Sequence, residues 1–143
     1  MSAYLEHANV TVPSIDAAIE FLKLVDPDFI IRHDEAAEGT YRWAHVGTHQ
    51  TYIALQEPHL DAGEQQSRRP YKDYGVNHLA WVVPDVDACT ARLDAAGFRR
   101  SIGTKVHPFR KRVYFFDRAG FEWELVQYLT EVVEERNSYD HDV

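Results

Sequence analysis

The stretch that decides the fold is "EHANVTVPSIDAA", residues 6–18, because "NHLAWVVPDVDAC", residues 77–89, writes it a second time. His7 and His78, Val12 and Val83, Pro13 and Pro84, Asp16 and Asp87, and Ala17 and Ala88 each stand 71 residues apart. In the first copy Ala8, Val10 and Val12 alternate with His7, Asn9 and Thr11, which predicts a strand with one apolar face. In the second, Leu79, Trp81 and Val83 alternate with His78, Ala80 and Val82, so each His lies opposite the bulkier apolar row. Each strand is followed by Pro, a helix-capping residue (Ser14 or Asp85) and apolar residues at helical spacing. These are Ile15, Ala18 and Leu22 in one copy and Val86, Cys89 and Leu93 in the other. Gly97 is placed to end the second helix in the left-handed conformation.

Outward from the repeat, each half continues in strand-like runs, "TYRWAHV" and "QTYIALQE" in the first, "RVYFF" and "FEWELVQY" in the second. The expected fold is therefore α+β: a strand, a helix and further strands twice over, two similar units whose polar sheet faces can enclose a cleft, with the helices outside. Residues 1–130 form one domain, with module one over about 4–59, a linker over about 60–75 and module two over about 76–130. The linker, "LDAGEQQSRRPYKDYG", is polar and turn-rich without periodicity. The tail from 131 to 143 starts with helix-forming residues and ends polar, and is expected to fray or to pack on a partner chain.

A chain of 143 residues with 45% apolar and 13% aromatic content has enough side chain for one real core. Its start lacks a basic, apolar leader and no run reaches the roughly 18–20 apolar residues that cross a bilayer, so a cytoplasmic protein with no membrane partner is expected. A net charge of −8 argues against nucleic acid as partner. The lone Cys89 reads as a buried structural thiol. One segment runs against the acidity: "FRRSIGTKVHPFRKR", residues 98–112, holds Arg99, Arg100, Lys105, Arg110, Lys111 and Arg112 with no acidic residue. Such a segment could draw an anionic small molecule, although most of these side chains read as a solvated edge.

In the last run, Trp123 and Leu125 alternate with Glu122, Glu124 and Val126, which puts Glu124 on the side of the histidines. A duplicated unit with a His on its first strand and a carboxylate on its last resembles the vicinal oxygen chelate superfamily. That superfamily includes glyoxalase I, extradiol ring-cleaving dioxygenases, fosfomycin-resistance thiol transferases and bleomycin-resistance proteins. The resemblance covers residues 4–130 and implies two tandem βαβββ modules pairing into a cleft-lined, open barrel-like sheet, with metal ligation by His7, His78 and Glu124. Homodimers are frequent in the superfamily, so a homodimer is expected.

Alignment of "YIALQE" with "EWELVQ" on the shared Leu sets Ala54 opposite Glu124, where glyoxalase I carries a carboxylate. Gln56, on the same face as Ala54, is expected to line the pocket, with Tyr52 and Asn9 as further substrate contacts. Two histidines and one carboxylate leave several coordination positions open, the donor set of non-haem Fe(II) sites. The implied cofactor is a divalent metal, Fe(II) first and Mn(II), Zn(II) or Ni(II) after it. "HPFRKRVYFFDRAGFEWE", residues 107–124, is similar to the extradiol signature around the last iron ligand through His107, Tyr114, Asp117, Gly120 and Glu124. It departs from that signature at Lys105, just before the segment, and at Arg118. "GTHQTYIALQEP", residues 47–58, is similar to the segment that carries the extradiol base, which implies His49 as base.

The function expected is an extradiol dioxygenase-like enzyme that chelates a small substrate through vicinal oxygens. Tyr114 contacts a chelating oxygen and His49 or His107 moves a proton. Two other readings stay beside it: a glyoxalase-like lyase or isomerase or a fosfomycin-type thiol transferase, and a non-catalytic antibiotic-binding protein lined by Trp43, Tyr52 and Trp81. His33, His45, His59 and His141 read as ordinary structural or surface histidines.

Overall fold

The repeat folds as two copies of one unit. A computed structural model describes residues 2–36, 39–103 and 106–140, so Lys105 and His141 lie outside the described residues. Two compact units result, residues 1–69 and 70–143. The first holds β1 (His7–Thr11), α1 (Ile15–Val25), β2 (Ile30–Glu35), β3 (Trp43–Gly47) and β4 (Tyr52–Gln56). The second holds β5 (His78–Val82), α2 (Val86–Ala95), β6 (Arg99–Arg100), β7 (Arg110–Phe116), β8 (Glu122–Tyr128) and a short α3 (Val133–Arg136). Each unit has one four-stranded sheet, in the orders β1-β4-β3-β2 and β5-β8-β7-β6, with the first strand parallel to the last.

Both helices start as the sequence predicts. Ser14 Oγ accepts from Ala17 N at 3.3 Å, and Asp85 Oδ1 accepts from Ala88 N at 2.9 Å. A side chain from just beyond or within the last strand adds a second acceptor in each unit. Glu57 Oε1 takes Ile15 N at 3.1 Å and Gln127 Oε1 takes Val86 N at 3.0 Å. The helices end differently. α1 stops at Asp26, ahead of Pro27, whereas α2 closes in a Schellman motif: Gly97, at φ +78°, donates to Asp94 O, and Phe98 donates to Leu93 O.

The apolar trios are buried as expected, Ile15, Ala18 and Leu22 in one unit and Val86, Cys89 and Leu93 in the other. α1 adds Phe21 and Val25 against Val46, Ile53 and Leu55; α2 packs beside Phe115, Trp123 and Leu125. Full burial of one such side chain contributes about 1.5–3 kcal/mol.

β2 and β6 lie outside the strand runs read from the pattern. β2 has only partial apolar character, and five of its six residues are exposed, so no alternation marks it. Trp81 pairs in register with Leu125 and faces the helix side, so it does not share the face of His78. Within the second unit Arg110 donates to Arg136 O at 3.1 Å, and the Arg136 guanidinium lies 4.2 Å from the Tyr128 ring. No helix among the described residues is long and apolar enough to cross a membrane.

Candidate functional site

The parallel pairing of β5 with β8 sets His78 beside Glu122 and Ala80 beside Glu124, and the antiparallel pairing of β7 with β8 sets Tyr114 beside Glu124. Because side chains alternate across a sheet, His78, Glu122, Glu124 and Tyr114 project from the face opposite the core. There His78 Nε2 lies 3.2 Å from Glu124 Oε2, with the Glu124 side chain only 12% exposed. The Tyr114 ring meets His78 edge-on, at 5.5 Å between centroids and 86°. Burial, together with a hydrogen bond to Glu124, pushes the Tyr114 hydroxyl far above its ordinary pKa. Tyr114 therefore stays a neutral donor, and the carboxylate is held from two sides.

A second layer stands behind His78. Tyr71 donates its hydroxyl proton to Glu122 Oε2, and the Tyr71 hydroxyl oxygen lies 3.1 Å from His78 Nδ1. Ser101 donates to the other oxygen of Glu122, which is 8% exposed. The bond to Glu122, with burial second, raises the Tyr71 pKa to about 12. Neither Tyr71 nor Glu122 was singled out from the sequence. Glu122 carries the right alternation, but Tyr71 comes from a segment with no period to read.

The first unit gives the equivalent face a different character. His7 pairs with Tyr52, Asn9 with Ala54 and Thr11 with Gln56, while His45 pairs across with Ala54. Rings follow one another over this face: His7 on Tyr52 at 4.9 Å, Tyr52 by His45 at 4.6 Å, His45 by Trp43 at 5.0 Å and Trp43 on His33 at 4.3 Å. A bulge between Ile31 and His33 makes Arg32 the extra residue of β2, and its guanidinium lies 4.1 Å over the Tyr52 ring. Burial, aided by the positive charge of Arg32, holds the His45 pKa below its ordinary value. His33 and His45, set aside as ordinary from the sequence, thus belong to this face. His7 Nδ1 lies 3.0 Å from Glu6 Oε2, and the His7 side chain is 43% exposed.

His49 is exposed in the turn between β3 and β4. His107 is 4% exposed and its Nδ1 accepts from Phe109 N at 3.1 Å. His107 lines a cavity of about 430 Å³ that also involves Val86, Thr90 and Lys111 but not His78, Tyr114 or Glu124. The basic segment is largely compensated on the spot: Lys111 pairs with Asp87 at 2.5 Å, Arg100 with Asp94, and Arg99 stacks over Phe116 at 3.9 Å. Asp117 is a turn staple, accepting from Ala119 N, Phe121 N and Trp123 Nε1 at 2.9, 3.0 and 2.9 Å. Of the five residues that carry the signature-like match, then, Tyr114 and Glu124 are the two placed on the polar face with His78.

Adjacent ligands on a divalent ion with bonds of about 2.0–2.2 Å stand about 3.0–3.5 Å apart, so the 3.2 Å between His78 Nε2 and Glu124 Oε2 fits two neighbouring ligand atoms. Among the described residues, no three His, Cys, Asp or Glu side chains are grouped as a metal cluster.

Comparison with curated proteins returned no match. Solved structures give the fold. A glyoxylase/bleomycin resistance protein/dioxygenase domain from Frankia sp. EAN1pec is 20% identical, covers 96% of this chain and 99% of its own, and superposes with a TM-score of 0.70. A glyoxalase family protein from Bacillus cereus is 18% identical, with 91% and 97% covered and a TM-score of 0.75. The genomically encoded fosfomycin resistance protein of Listeria monocytogenes, complexed with Mn(II) and sulfate, is 20% identical, with 96% and 100% covered and a TM-score of 0.68. The sequence model of the Glyoxalase/Bleomycin resistance protein/Dioxygenase superfamily matches residues 4–125, a span that takes in both copies of the repeat, and the chain belongs to that superfamily.

Proposed function

We propose that this protein is a metal-dependent enzyme that binds a small substrate through two adjacent oxygens, with extradiol cleavage of a catechol as the reaction favoured. Its ligands in this reading are His78 and Glu124, with His7 as the third, chosen because it holds the register position in β1 that His78 holds in β5. The observation that carries the reading is the 3.2 Å approach of His78 Nε2 to Glu124 Oε2 on a sheet face. A bound Fe(II) would supply Lewis acidity and open positions for a chelating diol and O₂.

The chain's own residues do the rest. Tyr114, whose hydroxyl is held neutral, turns its one hydrogen from Glu124 to the adjacent substrate oxygen when substrate is bound. The proton lost by the diol goes to His49; His107, buried around a cavity that takes in neither Tyr114 nor Glu124, is withdrawn as the base. Asn9, Tyr52 and Gln56 line the polar face of β1 and β4 and orient the ring. Ala54 leaves the first unit without the carboxylate of the four-ligand lyases, which counts against a glyoxalase-type isomerase. A Mn(II)-dependent fosfomycin-type transferase is the second reading, favoured by similarity to the Listeria protein complexed with Mn(II) and sulfate. An antibiotic-binding protein lined by Trp43 and Tyr52 needs no open metal site.

The test is elemental analysis of purified protein beside His78→Ala and Glu124→Ala. Stoichiometric metal that falls to background in both variants is the expected result; unchanged metal in both overturns the reading. Anaerobic loading with Fe(II) followed by catechol-dependent O₂ uptake then separates ring cleavage from the transferase, which consumes fosfomycin and thiol without O₂.

A further inference from the structure

Tyr71 has a backbone that calls for explanation. Its φ is +64°, in the left-handed region that bulky side chains avoid, and among the described residues it is the one non-glycine with positive φ. Packing does not account for this: the residue is 61% exposed. What holds it is polar. Its N–H donates to Asn77 Oδ1 at 2.7 Å, and its hydroxyl reaches Glu122 and His78 at once. A residue kept in a sparsely populated conformation by its surroundings points to a role for the atom it aims.

The proton count at that atom is informative. The Tyr71 hydroxyl has one proton, and Glu122 Oε2, a carboxylate oxygen, accepts it. The hydroxyl oxygen is then an acceptor toward its other neighbour, so His78 Nδ1, at 3.1 Å, must be the donor. Glu122 is itself fixed by Ser101 at its other oxygen and by burial. With Nδ1 carrying the hydrogen, Nε2 is the atom of the ring turned to Glu124 and left for a cation.

We propose that Tyr71 is a positioning residue that, anchored by Glu122, fixes the hydrogen of His78 on Nδ1 and so presents Nε2 to the metal. The assignment rests on the metal reading for its purpose, but not for its hydrogen bond. Partners of this kind orient a ligating imidazole and settle which nitrogen binds, and their loss weakens metal binding by roughly 10–100-fold.

The test uses Tyr71→Phe, which keeps the ring and removes the hydroxyl. In metal-free, ¹⁵N-histidine-labelled protein, His78 should show a hydrogen-bonded Nδ1–H in the wild type that exchanges with solvent much faster in Tyr71→Phe. The other histidine resonances should be unmoved. A Mn(II) titration of the same two proteins should show affinity about 10-fold lower in the variant. A His78 Nδ1 without a proton in the wild type, or an Nδ1–H signal unchanged in Tyr71→Phe, overturns the proposal. If the wild type shows the Nδ1–H and its loss in the variant but binds no Mn(II), the positioning stands and the metal reading falls.

Discussion

The two units place chemically different residues at matching points of one framework. Asn9 pairs with Ala54 where Ala80 pairs with Glu124; His45 faces Ala54 where Tyr114 faces Glu124; His7 lies beside Tyr52 where His78 lies beside Glu122. The framework itself repeats closely. Val12 N donates to Gln56 O and Val83 N to Val126 O, both at 2.8 Å, and Glu57 and Gln127 meet the two helix starts in the same way. Alternate residues of a strand belong to opposite faces, so one face can keep the core while the other changes its chemistry. The first unit has used that freedom for an aromatic stack, the second for hydrogen-bonded acids.

The sharpest structural contrast lies in the turns that join the last two strands of each unit. In the second unit the Asp117 carboxylate, 8% exposed, takes three donors, including the buried Trp123 indole. In the first, the Thr48 hydroxyl takes Gln50 N and Thr51 N at 3.1 and 3.0 Å in a turn with exposed residues. Asp117→Ala leaves Trp123 Nε1 without its acceptor in a dry place and should cost about 2–4 kcal/mol; Thr48→Ala, whose donors can turn to water, should cost about 1 kcal/mol or less. Urea unfolding of both variants checks this, and equal losses would remove the contrast.

The next test converts one unit toward the other. Ala54 is 3% exposed, and a carboxylate there, in Ala54→Glu, should lower stability by about 1–3 kcal/mol through desolvation. It would also stand toward His7 and His45 as Glu124 stands toward His78 and Tyr114. Ala54→Glu made in a Glu124→Ala background should therefore recover Mn(II) binding, read by calorimetry. Destabilisation with no recovery would show that register alone does not make the two faces interchangeable.

How much of this the sequence could disclose follows from the same asymmetry. The strand, cap and helix of each repeat were legible because period and capping chemistry agree over a dozen residues, from His7 to Ala18 and from His78 to Cys89. The alignment of Ala54 with Glu124 was legible too, since both strands share Leu and the register follows from it. β2 was not, because most of its residues are exposed and its bulge at Arg32 breaks the alternation. Nor was Tyr71: its aim depends on a left-handed backbone and on Asn77, six residues on, and neither leaves a pattern along the chain. That His45 and Tyr114 hold matching register positions, opposite Ala54 and Glu124, needs the pairing and not the residue to be seen.

The smallest effect separates the units by what holds their helices. α1 buries Ile15, Ala18, Phe21, Leu22 and Val25, whereas α2 buries Val86, Cys89 and Leu93. α2 therefore draws less from packing and more from its ends, where Asp85 accepts at 2.9 Å and adds negative charge to the positive end of the helix. Ser14, neutral and at 3.3 Å from its donor, gives α1 less. Each Ala substitution should cost about 1 kcal/mol, with Asp85→Ala above Ser14→Ala by a few tenths. Because global unfolding can mask so small a difference, amide exchange within each helix is the measurement: Asp85→Ala should speed exchange across α2 while leaving α1 unchanged. If Ser14→Ala loosens α1 as much as Asp85→Ala loosens α2, the deeper packing of the first helix does not substitute for its weaker cap.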